Sequence, residues 1–359
     1  MRIEKGICQK VVMSGVKYKD NHPGGISAVV QYWSKYFDAL QYYPTFKEGS
    51  SLSKLCIFGG SVARLWFKIR FDKKVRILHA HTAAGTDFKR TSLVVKMAKK
   101  AGLKVVLHSH ASSFKDFFAS SSATEKCKIL DVLKMADVLI VLSKSWKEYF
   151  TEIGVPVGKI LILHNIAAYP TPKDVEKNEN KVRLLFMGEI GERKGVFDLL
   201  RAISDHKQEL EDKIELRIGG NKHEEKLMSV INRNCLQGFV KFDGFVTGEK
   251  KIDLFNWANV FVLPSFNEGL PISILEAMSY KMPIISTPVG GIPEVVDESN
   301  GVLVTPGASF EIYKAISKYV DNPEIIKTHG NSSFDKVQTY MPGYVINDLK
   351  RLYERLLSE

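Results

Sequence analysis

The chain has 359 residues, 45% of them apolar and 25% charged, which is ordinary for a globular protein and long enough for about two domains. No apolar run approaches the roughly 20 residues that span a bilayer. The amino end, Met-Arg-Ile-Glu-Lys-Gly, lacks the apolar stretch of a secretory signal, so the four scattered cysteines are expected as free thiols in a reducing compartment. The net charge of +11 is uneven: through Ile166 there are 27 Lys and Arg against 12 Asp and Glu (+15), and beyond it 24 against 28 (−4). Such asymmetry points to an anionic partner for the first half, a membrane surface or a diphosphate-bearing substrate. Nucleic acid would fit the charge, but no recognition motif accompanies it, and none is expected to bind.

In chain order, Lys10 to Val16 reads as a buried strand, followed by a loop over 17–23, then Gly24-Gly25 and a helix from about Ile26 to Leu40. A glycine pair where a loop enters a helix is either a plain turn or a place where a ligand approaches the backbone closely. Ser61 to Lys74 mixes aromatic and basic residues at helical spacing. It is either a solvated amphipathic helix covering a sheet or an interfacial helix on anionic lipid. Two strands follow, each ending in a histidine pair: Val75 to His81 and Leu103 to His110, with a helix over Thr86 to Ala101 between them. His-x-His at a strand end puts both rings on one face. Without neighbouring carboxylates a metal is not expected there. Ala136 to Leu142 and Lys159 to Asn165 complete the first set of strands, and Ala167 to Asn180 reads as a linker.

The second half repeats the rhythm, with strands at Val182–Met187, Ile214–Ile218, Phe239–Phe242, Val260–Leu263, Pro283–Thr287 and Val302–Val304. Alternating strands and helices specify an α/β protein with parallel sheets. One stretch carries the chemistry. After the strand ending at Leu263 the chain breaks at Pro264, crosses Glu268-Gly269-Leu270, and enters a helix with Pro271 expected at its first position. The amides of Gly269, Leu270, Ile272 and Ser273 then point out of a positive helix start, a seat for phosphate. Glu276 is the one charge in that apolar helix. It is either paired with an amide or basic side chain, or it accepts hydroxyl hydrogen bonds from a sugar or ribose.

The spacing from Glu268 to Glu276, the run Glu-Gly-Leu-Pro-Ile-Ser-Ile-Leu-Glu-Ala-Met and the downstream Thr-Pro-Val-Gly-Gly-Ile-Pro-Glu294 resemble retaining glycosyltransferases of family 4, as found in bacterial surface polysaccharide assembly. The resemblance implies a GT-B fold, two Rossmann-like doubly wound domains facing across a cleft: residues 1–168, joined by a final helix over 344–359, and residues 169–343. It implies transfer of a sugar from a nucleoside diphosphate to a hydroxyl of a glycan acceptor, with retained configuration. Glu268, Lys194 and His110 would be catalytic. Gly24, Gly25, Arg193, Gly269, Leu270 and Glu276 would bind the donor, Glu276 through ribose. His81 is an acceptor-side or structural residue. The arginine usual in the family is replaced by Glu189, which leaves open whether Arg193 takes its place. No Asp-x-Asp occurs and no metal or other cofactor is expected, positive groups serving the diphosphate instead. The basic first half fits an acceptor on a lipid diphosphate and a cytoplasmic protein peripheral on the inner face of the cell membrane. A nucleotide-sugar epimerase, or an inactive subunit binding a partner enzyme at the membrane, are the rival readings.

Overall fold

The computed structural model describes residues 2–18, 24–110, 112–173 and 181–359. Residues 19–23 of the expected first loop and 174–180 of the expected linker lie outside them. The chain divides into two units, Met1–Ile166 with Pro342–Glu359, and Ala167–Met341.

The first unit is built on six parallel strands: β1 Val11–Val16, β2 Tyr42–Phe46, β3 Ile77–Thr82, β4 Lys104–Ser109, β5 Val138–Val141 and β6 Ile160–Ile162. They lie in the order β2-β1-β3-β4-β5-β6. Runs such as Val-Leu-Ile-Val in β5, buried at all four positions, form strands because helices cover both faces and no polar side is needed. Leu65, Phe88, Val95, Leu107, Phe114 and Leu139 share one core beside this sheet. The order reverses between β1 and β3, so the chain leaves these two strands in opposite directions, and it is at the carboxyl ends of such strands that open α/β sheets bind ligands.

Sequence periodicity does not mark β2. Its residues are mostly half-buried and it carries Pro44, which is tolerated because β2 is the sheet edge. Two helices differ from expectation. The first runs Gly25–Ser34, ending before Leu40 because the amides of Lys35 and Tyr36 turn back to Tyr32 and Trp33 and Phe37 then bridges to Ile3. The aromatic-basic helix runs Ser51–Phe71, ten residues longer at its start, where the Ser50 hydroxyl accepts from the Ser53 amide. The final helix, Pro342–Ser358, belongs to the first unit. It buries Val345, Ile346, Leu349, Leu352, Tyr353 and Leu356, a stripe recurring every three or four residues.

The second unit carries β7 Val182–Met187, β8 Ile214–Gly219, β9 Val240–Gly244, β10 Val260–Leu263, β11 Ile284–Ser286 and β12 Gly301–Leu303, all parallel. Their order is β12-β11-β10-β7-β8-β9. The reversal here falls between β7 and β10. The loops leaving those two strands are Gly188–Gly195 and Pro264–Pro271, the segments in which the sequence places its charged candidates.

Candidate functional site

Within the second unit the two loops are stitched together. The Phe266 amide donates to the Arg193 carbonyl at 2.9 Å. Gly195 adopts a φ of +70°, and a Cβ there would stand 2.0 Å from the Pro264 carbonyl oxygen, so only glycine permits the approach. A third segment braces the second loop from behind. Gly291 donates its amide to the Gly269 carbonyl at 2.7 Å, and Gly290, at φ +58°, would place a Cβ 2.1 Å from the Glu268 carbonyl oxygen. Ser286 and Thr287 add hydroxyl bonds to the Leu263 and Ser265 carbonyls.

On this frame Lys194 and Glu268 meet. Lys194 Nζ lies 2.5 Å from Glu268 Oε1, and the Ser265 hydroxyl donates to the same oxygen at 2.8 Å. Both charged side chains are largely buried, and the pair satisfies charges that would otherwise be costly to desolvate. Arg193 turns its guanidinium toward the same loop, donating to the Asn267 carbonyl at 3.3 Å. Glu189, in the place of the usual arginine, is held by Lys222 at 3.0 Å and lies 3.8 Å from Arg193. The cation in contact with Glu268 is Lys194, while Arg193 lies between the Asn267 carbonyl and the Glu189 carboxylate.

Pro271 does not occupy the first helical position. Its ψ of 125° is extended, and the helix runs Ile272–Ser279 with Pro271 preceding it. The correction moves the outward-facing first-turn amides to Ile272, Ser273 and Ile274, one residue further along than expected. Leu270 is buried.

Glu276 is buried in that helix and accepts a hydrogen bond from Lys251 Nζ at 2.7 Å, the lysine coming from the Gly248–Trp257 helix. Of the two sequence alternatives, the pairing with a basic side chain is present. Lys251 was not singled out by sequence: it lies on a separate helix among several lysines, with no spacing rule linking it to Glu276. Ser265 was missed for a similar reason, since a serine after a strand is ordinary.

In the first unit the strand-end histidines form a stack. His79 and His81 are parallel within 17° at 4.7 Å between centroids, His108 and His110 are 4.0 Å apart, and Trp33 packs edgewise on His79 and His81. His81 Nδ1 and His110 Nε2 share a hydrogen bond of 2.9 Å. His79 bonds His108 through Nε2 (3.2 Å) and Tyr353 through Nδ1 (2.6 Å). Burial, aided by the neighbouring His110, pulls His79 down to about 3. Burial alone takes His110 to about 3, and burial together with the other rings holds His81 and His108 well below the usual range. All four are therefore neutral. Ring nitrogens of His79, His81 and His108 lie within 4.8 Å of one another, the one such group of metal-competent atoms among the described residues. The rings stack instead of converging on a point, and both nitrogens of His79 are already bonded. Gly24 adopts a φ of +129° before the Gly25–Ser34 helix, and a Cβ at either glycine would meet nothing within 4 Å.

Two doubly wound parallel sheets, each with its order reversing once, define the GT-B fold. Anabaena HepE in complex with UDP and glucose shares it over 98% of this chain and all of its own, with a TM-score of 0.73 at 17% identity. Residues 170–332, nearly all of the second unit, match the family described as glycosyl transferases group 1. An uncharacterized glycosyltransferase of Methanocaldococcus jannaschii is 27% identical over 237 residues, 63% of this chain and 60% of that protein. The O-antigen chain mannosyltransferase B of Escherichia coli is 32% identical over 124 residues, 34% of this chain and 32% of that protein. The chain thus spans less than two thirds of the length of these relatives. The family match is thus confined to the second unit, and the solved structure shares the fold.

Proposed function

We propose that this protein is a retaining glycosyltransferase that moves a sugar from a nucleoside diphosphate to a hydroxyl of a glycan, carried on a lipid diphosphate, in polysaccharide assembly. The observation that carries the reading is the buried Lys194–Glu268 pair at the carboxyl ends of β7 and β10, where an open α/β sheet reverses its strand order and binds its ligands. In this reading Lys194 and Arg193 neutralise the departing diphosphate, which is also met by the amides at the start of the Ile272–Ser279 helix. Glu268 exchanges its lysine contact for the donor sugar. Glu276, oriented by Lys251, accepts from the ribose hydroxyls. Within the first unit, Gly24, Gly25 and the neutral His110 are the residues this reading assigns to the donor. The leaving phosphate helps take the acceptor proton on the face it departs from, and no second carboxylate or metal is required. The O-antigen relative supports the polysaccharide setting, and the HepE complex supports a nucleoside-diphosphate sugar as donor.

The test is a thermal-shift screen of nucleotide sugars followed by nuclear magnetic resonance of the product. A donor that binds at a hundred times its Kd stabilises the fold by about 2.7 kcal/mol. The first-formed glycoside should share the donor's anomeric configuration. Inversion would refute the retaining mechanism, and the absence of any stabilising nucleotide sugar would refute the whole reading.

A further inference from the structure

The Ser51–Phe71 helix has two apolar faces. Ser61, Leu65 and Ile69 are buried against the first unit, as one side of an amphipathic helix should be. On the opposite side stand Leu52 (71% exposed) and Leu55 (67%) near the start of the helix, and Trp66 (44%), Phe67 (57%) and Phe71 (66%) near its end. At 100° per residue these fall within about 160° of arc centred opposite Leu65. Trp66 and Phe67 pack edge to face at 5.0 Å, and Phe67 stacks on Phe71 at 5.9 Å, so the three rings form one solvent-facing cluster. Single exposed apolar residues need no explanation, but three clustered rings do.

Charge decides what covers it. The helix holds four cations and no acid. From Arg64 to Arg76 there are six cations and one acid, Asp72, which Lys68 already neutralises at 2.7 Å. A second copy of the chain docking through this face would set six cations against six. An anionic bilayer meets both features, since aromatic rings suit its interface and basic residues its headgroups. No helix among the described residues is long and apolar enough to cross a membrane, so the contact would be with the bilayer surface.

We infer that the outer face of the Ser51–Phe71 helix, with the basic segment following it, docks the protein onto an anionic lipid bilayer, Trp66, Phe67 and Phe71 entering the interface. The inference goes beyond the reading of the second unit and does not depend on it. Glycosyl transfer and docking can each fail separately.

The experiment floats the full chain with vesicles of phosphatidylcholine, alone or mixed with phosphatidylglycerol, without any donor present. The protein should rise only with the anionic vesicles, and its tryptophan emission should move to the blue, because Trp66 is exposed while Trp33 and Trp146 are buried and Trp257 is half-buried. The Trp66→Ala/Phe67→Ala/Phe71→Ala variant should lose at least about tenfold in partitioning. Arg64→Gln and Arg70→Gln should each cost roughly fivefold. These substitutions lie on the solvent side, so thermal unfolding should match the parent and certify the fold. Unchanged flotation of the aromatic variant, equal binding to neutral vesicles, or a dimer that the aromatic variant abolishes would each overturn the inference.

Discussion

Lys194 and Glu268 show how far single residues can be read. Their spacing and neighbours mark them in the sequence, but only the folded loops reveal that one carboxylate oxygen takes both Lys194 and Ser265. If the lysine acts on charge that develops as the diphosphate leaves, Lys194→Ala should lower kcat by about a hundredfold or more and change donor affinity much less. Equal losses in both would mean that the lysine only binds. Lys251 was illegible because a contact between two helices, 25 residues apart in sequence, leaves no pattern in the chain. Its proposed task is to hold Glu276 in place. Lys251→Met should therefore weaken donor binding in calorimetry by about tenfold, the scale of one charged hydrogen bond lost from a buried carboxylate. Unaltered affinity would show that Glu276 needs no such support.

Strands were the most legible elements, since a run buried on both faces must be apolar throughout, as β10 is at all four of its positions. The exceptions have local causes. Pro44 and half-exposed tyrosines hide β2 at its edge, and the extended ψ of Pro271 shifts a helix start by one residue. Least legible was the packing of loop on loop, because glycine alone does not announce what it touches. Gly195 and Gly290 combine a left-handed φ with a backbone oxygen about 2 Å from any added Cβ. Either strain alone costs of order 1–3 kcal/mol, and the displaced carbonyl belongs to the loop that carries Glu268. Gly290→Ala should thus lower unfolding free energy by at least about 2 kcal/mol and also impair donor binding. Gly24→Ala, with open space around it, should show only the conformational cost. Similar stability losses at the two positions would contradict this account.

At the scale of the whole molecule, the chain's two ends meet in the first unit. Lys350 pairs with Glu4, Glu359 with Lys104, and Tyr353 reaches His79 across 274 residues of sequence. Burial holds the Tyr353 phenol well above its usual range, so it stays protonated and can donate to His79 Nδ1. His79 Nε2 can then donate to His108 Nδ1. An added proton would break this sequence of donors and place a charge in a buried cluster, where desolvation opposes it. The sign of the pH dependence follows. Unfolded histidines take up protons near pH 6.5, whereas His79 and His110 resist until about 3, so the unfolded state binds more protons between those values. Stability must fall as pH falls through that window, by up to about 1.4 kcal/mol per pH unit for each such histidine. The diagnostic interval is pH 6.5 to 5, above the range in which carboxylates such as Asp297, held near 2 chiefly by Lys336, begin to contribute. Urea midpoints should drop across this interval in the parent protein. They should drop less steeply in His79→Gln, which removes one titrating ring while keeping a hydrogen-bonding group. A parent midpoint that stays level from pH 6.5 to 5 would mean that water or a counter-charge reaches the stack and that its neutrality is not a condition of folding.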